Sequence, residues 1–195
     1  YRVPYDSLRE RPTRDLLHAA GRLPFGDTLD VFVVHFPSRR GGATISEPYR
    51  LRAAGILRHL ADSIARCRHT PRLLAMGDFN DEPHNASVSR VLAPTFAELT
   101  SHATPLPAEG HDDIEGSYYF RGEWSRIDQI LVSPALLSPT MKFHTTPQSV
   151  HLLAFPPLLE TLGRGTLSKP FRTYLGPFYH GGISDHLPLC IDFSY

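Results

Sequence analysis

Four short stretches of this chain set acid, amide and imidazole side chains against apolar runs: Val34-His35-Phe36, Gly77-Asp78-Phe79-Asn80-Asp81, Arg126-Ile127-Asp128-Gln129-Ile130 and Ser184-Asp185-His186-Leu187-Pro188. These side-chain types are the ones that metal-assisted phosphoester hydrolysis uses. Carboxylates are hard oxygen ligands for Mg²⁺ or Mn²⁺, an Asp takes a proton from attacking water, and Asn and His donate hydrogen bonds to charge building on phosphorus. Singly, each has a plain structural explanation. His35 suits a strand end, Asp78-Phe79-Asn80 after a glycine suits a turn built on Asx side chains, and Asp185 suits a turn before a strand. Asp128 is hardest to explain that way, because a carboxylate in an apolar run is costly to bury without a partner such as Arg126 or a backbone amide.

Other residues carry weaker signals. Ser38, Arg39 and Arg40, followed by Gly41 and Gly42, read either as a phosphate-contacting loop, since guanidinium forks match phosphate oxygens, or as a solvated loop. Arg172 and Tyr174 lead toward the Ser184-Asp185-His186 turn and read equally as substrate contacts or packing. His111-Asp112-Asp113 imitates a metal cluster but sits in a polar loop, where solvation is the better reading. Tyr118, Tyr119 and Trp124 could stack bases, yet core packing accounts for them with fewer assumptions.

The elements that must position these groups are partly readable. Residues 1–27 read as turn and short helix. Residues 28–35, nearly all apolar after Asp30, predict a strand buried on both faces with His35 at its end. Leu51, Ala54, Ile56, Leu57, Leu60 and Ile64 recur at helical spacing, predicting a helix over about 47–67. Residues 71–76, closed by Gly77, predict a second buried strand that delivers Asp78 and Asn80. Strand, helix, strand is a crossover unit with parallel strands. Further expectations are a turn of helix at 87–92, a loop over 101–116, and strands at 118–120 and 126–132 with Gly122 as their hairpin turn. Beyond these come a strand near 141–144, a helix near Leu158 and a closing strand at 187–193.

At 195 residues the chain suits one domain over 1–195, and 41% hydrophobic against 21% charged residues excludes a disordered chain. No apolar run approaches the length of a membrane span. Twenty Lys and Arg balance twenty Asp and Glu, so nothing global advertises nucleic acid or a membrane surface. Cys67 and Cys190 form no CxxC pair and read as two buried thiols rather than a disulfide framework or zinc site. The start at Tyr1, without a leader, reads as a mature form or a piece of a longer chain, and leaves localisation unreadable.

Taken in order, the four motifs resemble those of the endonuclease/exonuclease/phosphatase superfamily, the deoxyribonuclease-like fold. The longer runs from His35 to Gly42 and from Pro170 to Gly176 resemble bacterial members of unassigned substrate, and the likeness covers about residue 26 to the end. The resemblance implies an α/β fold: a partial four-layer α/β sandwich with a mixed sheet flanked by helices. It implies that Asp78 orients or deprotonates the attacking water and that Asn80 binds this water and a phosphate oxygen. Asp185 would hold Mg²⁺ or Mn²⁺, and His186 would contact the scissile phosphate with Asp128 fixing its tautomer. His35 would be a second phosphate-facing histidine, and water would attack in line without a covalent intermediate. The implied substrate is a phosphate ester, with nucleic acid, phosphorylated lipids, sugars and small nucleotides all open. A net charge of zero gives duplex DNA no support.

One departure stands out. The superfamily carries an Asn and a metal-binding Glu in its first half, and neither has a counterpart before His35. Glu10 and Glu47 lie in helical or loop surroundings instead. The expectation is a chain lacking the N-terminal half, with an exposed apolar sheet face that favours association with itself or with the missing segment. A non-catalytic fragment or interaction module is the alternative.

Overall fold

A computed structural model describes residues 1, 13–107, 113–162 and 167–195. Five strands, β1 (Leu17–Arg22), β2 (Thr28–His35), β3 (Arg72–Asp78), β4 (Ala97–Glu98) and β8 (Asp128–Val132), bond in the order β1-β2-β3-β8-β4. Only β2 and β3 run parallel; the other neighbours are antiparallel, so the sheet is mixed. The parallel pair is joined by helix α1 (Ala43–Arg66), because parallel neighbours need a long crossover.

The period-two alternation of the strands divides two cores. Phe32, Val34, Leu73, Ala75 and Leu131 face one way and pack with Ala53, Ala54, Leu57 and Ala61 of α1. Leu74, Ile130 and Val132 face the other way, joined by Leu29, Val31 and Met76. That second core is closed by a three-stranded sheet of β5 (Thr104–Leu106), β9 (Val150–Leu153) and β14 (Leu189–Ile191), in the order β14-β9-β5. Three hairpins complete the strands: β6 (Tyr118–Phe120) with β7 (Glu123–Ser125), β10 (Leu159–Leu162) with β11 (Leu167–Pro170), and β12 (Tyr174–Leu175) with β13 (Phe178–Tyr179). The architecture is mixed α/β with mixed sheets. Among the described residues α1 and a six-residue π-helix, Ser87–Leu92, are its longer helices, and with these two the described residues do not show the four-layer sandwich implied by the resemblance.

Several sequence expectations are corrected. Residues 17–22 form a strand rather than turn and helix, because all six pair with β2 from Leu17↔Val33 to Arg22↔Thr28 while their mostly exposed side chains carry no apolar pattern. Strand β2 is not buried on both faces: Val33 is 37% exposed and its partner Leu17 60%. The helix starts four residues early, after Gly42 at φ 119°, and the Ser46-Glu47-Pro48 signal lies inside it. Gly122 does turn a hairpin, but β6 pairs with β7, and the following strand joins the main sheet instead. Residues 141–144 form turns with a lone bridge from His144 to Ser194, and Leu158 ends a 3₁₀ turn, Pro156–Leu158. The 101–116 loop includes β5. Cys67 is exposed and Cys190 half-buried, so neither is a fully buried thiol.

Candidate active site

Parallel pairing brings the ends of β2 and β3 side by side, with His35 opposite Asp78. Antiparallel β8 begins at the same level, with Asp128 opposite Asp78. Three strand ends therefore set His35, Asp78 and Asp128 in one row, where a rigid sheet presents them to solvent. The approach of β2 to β3 requires glycine at 77. Its φ is 129°, and a Cβ there would lie 2.1 Å from the Val34 carbonyl oxygen.

Beyond the row, the chain turns at Asn80, a non-glycine residue at φ 51°. Asp78 holds that turn: Oδ1 accepts from the Asn80 backbone N–H at 2.8 Å and Oδ2 from its Nδ2 at 3.1 Å. Nδ2 also donates to the Phe36 carbonyl at 3.1 Å. His35 Nε2 stands 3.3 Å from Asp78 Oδ2. The last group arrives from the far end of the chain, where an isolated bridge pairs His186 with Tyr118. His186 Nδ1 lies 2.7 Å from Asp128 Oδ2, which also accepts the Ser117 hydroxyl. An ionised carboxylate only accepts, so Nδ1 carries the proton and Nε2 is the nitrogen left for another partner.

The two histidines are driven apart electrostatically. Burial alone would discharge His186, but the hydrogen bond and charge of Asp128, with Asp78 and Asp185 nearby, raise its pKa above the usual histidine value. Burial lowers that of His35, helped by Arg14 and His186 and opposed by Asp78 and Asp128. Burial and the charge of Asp128 push Asp78 above the usual carboxylate range, against the Asn80 hydrogen bond and both histidines.

These groups line a cleft of about 850 Å³ that includes His35, Asp78, Asn80, Asp128, Asp185 and His186. Arg39 and Arg40 line it too, with different freedom. Arg39 is clamped, donating to the Asn80 carbonyl at 2.7 Å and to Asn85 Oδ1 at 3.0 Å. Arg40 is exposed and has no hydrogen bond or ion pair among the described residues. Arg172 and Tyr174 do not line the cleft. Arg172 donates to the Tyr119 carbonyl at 2.6 Å and lies over the Tyr118 ring, propping that aromatic, while Tyr174 sits on the β12–β13 hairpin against Tyr179. His111, Asp112 and Glu10 lie outside the described residues; Asp113 accepts the Ser168 backbone N–H.

Sequence reasoning assigned no site role to four contributors. Ser117 supports Asp128 without any pattern to announce it. Tyr118 and Phe120 line the cleft, which their alternation with Tyr119 signals. Asp81 is buried beneath the Asn80 turn, 2.7 Å from Arg50 Nε and accepting the Ser87 hydroxyl at 2.7 Å. The clue was Arg50, a guanidinium on the apolar stripe of a helix.

The family that the resemblance names uses divalent metals, and such an ion needs a shell of several hard oxygen donors. Among the described residues no group of three or more His, Cys, Asp or Glu is placed to hold one. Asp78 is bonded to Asn80, and Asp128 Oδ2 to Ser117 and His186. That leaves Asp185 and, on the β6–β7 hairpin, Glu123 as uncommitted carboxylates of the cleft, and the two fall short of the oxygen-rich shell of Mg²⁺. The described residues do not by themselves fit a complete metal site.

A family model described as Endonuclease/Exonuclease/phosphatase family matches residues 1–194, and the chain belongs to that family of metal-dependent phosphoesterases. No curated protein matches it. Among solved structures it is similar to a functionally unknown conserved protein from Enterococcus faecalis, with TM-score 0.58 and 19% identity over 98% of this chain and 60% of that one. Sphingomyelinase C from Streptomyces griseocarneus gives TM-score 0.56 and 17% identity over 88% and 55%. The human Nocturnin catalytic domain with bound sulfate gives 0.52 and 20% over 92% and 52%. At these identities the likeness is one of fold. The chain spans between 52% and 60% of the length of those three.

Proposed function

We propose that the cleft hydrolyses a phosphate ester, a phosphodiester foremost, by attack of water on phosphorus. The observation that carries this is the convergence of His186, held by Asp128, with the in-register His35 and Asp78 on one cleft. In this reading protonated His186 donates through Nε2 to a phosphate oxygen, and Asp128 fixes its ring and stabilises its charge. Asp78 orients the water and takes its proton, since an ionised carboxylate keeps lone pairs beyond those given to Asn80. Neutral His35 and the Asn80 amide contact the phosphate, and free Arg40 offers a fork to its outer oxygens.

The family's divalent ion, Mg²⁺ or Mn²⁺, supplies charge neutralisation at a phosphate, and Asp185 is the residue proposed to touch it. The described residues complete no site for it and so assign it no step. That incomplete donor set favours a second reading, in which the chain is a non-catalytic piece or interaction module.

One experiment separates the two. Hydrolysis of bis(p-nitrophenyl) phosphate is followed with Mg²⁺ or Mn²⁺ present, for the wild type, Asp78→Ala and His186→Ala. Turnover that both substitutions reduce by about 10²-fold or more supports the hydrolase; turnover that survives them overturns the assignment of these residues. No turnover, with no heat on titrating Mg²⁺, supports the non-catalytic reading. Steep salt dependence of DNA binding would add nucleic acid as substrate, and salt-insensitive turnover of a small ester would remove it.

A further inference from the structure

Alternation along the β6–β7 hairpin sorts its side chains onto two faces. Tyr119 and Trp124 meet edge to face with centroids 5.1 Å apart, and Trp124 packs on the second core. Tyr118, Phe120, Glu123 and Ser125 line the cleft instead. The Tyr118 and Phe120 rings lie 6.2 Å apart and within 17° of parallel. Phe120 remains 51% exposed, so core packing does not account for it.

The hairpin holds these groups in a fixed place. Its turn residues, Arg121 and Gly122, both have positive φ, 54° and 95°, the two-residue geometry that matches strand twist. Glu123 is the register partner of Phe120, is exposed, and makes no hydrogen bond or ion pair among the described residues. Tyr118 is bridged to His186 and their rings are 4.8 Å apart. Phe120, two residues along the strand, is displaced about 6.6 Å from Tyr118, one ring's reach from a phosphate bound at that histidine.

We propose that this wall binds a ring carried by the phosphate ester, stacked at Phe120 and donating a hydroxyl or amino hydrogen bond to Glu123. The inference rests on the phosphoester reading and names its substrate class: a nucleoside or sugar phosphate. An alkyl chain would gain nothing from Glu123, and a polyanion running along this wall would meet its charge. The cleft-lining arginines, Arg39 and Arg40, lie outside the hairpin, while Arg121 lies over the Phe120 ring, 5.2 Å from its centroid, so a stacked ligand ring shares Phe120 with that guanidinium.

Titration calorimetry of the 195-residue chain with methyl phosphate, adenosine 5′-monophosphate and glucose 6-phosphate tests this, since each carries one phosphomonoester. At least one ring-bearing ligand is expected to bind about tenfold tighter than methyl phosphate. Phe120→Ala, at an exposed site that tolerates truncation, should bring that ratio close to one, and Glu123→Gln should lower it. Preference for the adenosine ligand identifies a base, and preference for the glucose ligand a sugar. Equal affinity for all three, or a ratio indifferent to both substitutions, overturns the proposal while leaving the phosphoester reading intact. If no phosphate compound binds, or His186→Ala leaves methyl phosphate binding unchanged, the phosphoester reading fails and this proposal falls with it.

Discussion

His186 and Asp128 stand 58 residues apart in the chain, yet Nδ1 of one lies 2.7 Å from Oδ2 of the other. The pairing makes the histidine's charge a property of the fold. Removing the carboxylate charge with Asp128→Asn is expected to lower the His186 pKa, because burial is then opposed only by the charges of Asp78 and Asp185. An NMR titration of the His186 ring checks the shift directly. An unchanged titration would mean that Asp128 does not set it.

The opposite displacement of His35 gives a pH signature. His35 loses its proton at lower pH than an ordinary histidine and His186 keeps its proton to higher pH. Between those values one ring is neutral and the other charged, which is the pairing the proposed hydrolysis uses. Turnover should rise as Asp78 and His35 deprotonate and fall as His186 does, giving a bell. In Asp128→Asn the alkaline limb should move to lower pH. A profile whose alkaline limb ignores that substitution contradicts the role given to His186.

Gly77 is a direct test of the β2–β3 junction. In Gly77→Ala the new Cβ would meet the Val34 carbonyl oxygen at 2.1 Å with φ at 129°, and backbone cannot rotate away as a side chain does. We expect a loss of more than about 2 kcal/mol in urea unfolding, from strain at a glycine-only conformation. His35 and Asp78 flank the distorted register, so His35 should titrate differently as well.

Asp30 is fully buried and paired on both oxygens, with Arg68 at 2.8 and 2.9 Å and His18 at 2.9 Å. Burial opposes its charge, but the Arg68 and His18 hydrogen bonds prevail and hold its pKa below 3.8. A depressed carboxylate contributes stability that is present above its unfolded pKa and lost as pH falls through the folded one. Asp30→Ala should cost about 1–2 kcal/mol at neutral pH by removing charge-assisted hydrogen bonds, since the Arg68 it leaves is a third exposed and can turn to water, and should flatten the acid limb of the stability curve. Equal acid sensitivity in mutant and wild type would show that another group governs it.

The crossover unit and the four motifs were legible because buried parallel strands read as apolar runs, and their ends announce themselves by the change to Gly77, Asp78 and Asn80. Strand β1 was not, because Leu17–Arg22 pairs through backbone while its side chains face solvent, and hydrogen bonds leave no hydropathy pattern. The split of labour between Arg39 and Arg40 was equally hidden. Adjacent identical residues differ only in what the fold places beside them: Asn80 and Asn85 for the first, solvent for the second. Arg172 read equally as substrate contact or packing, and the fold sets its segment against the approach to Ser184-Asp185-His186, with Gly182 N–H donating to the Arg172 carbonyl and Ser184 N–H to that of Phe171.

The contact between Arg50 and Asp81 ties the fates of two regions together. Arg50, only 2% exposed, also donates to Ser46 Oγ and the Ala43 carbonyl, so its guanidinium is committed to the first turns of α1 while meeting the residue after Asn80. Freeing Asn80 would strand a buried charge, and unwinding the start of α1 would do the same. The two should therefore open as one cooperative unit, with the Asn80 amide exchanging hydrogen on the same timescale as the amides around Arg50. This wall of the cleft is preassembled, and adjustment to a bound molecule falls to the free Arg40.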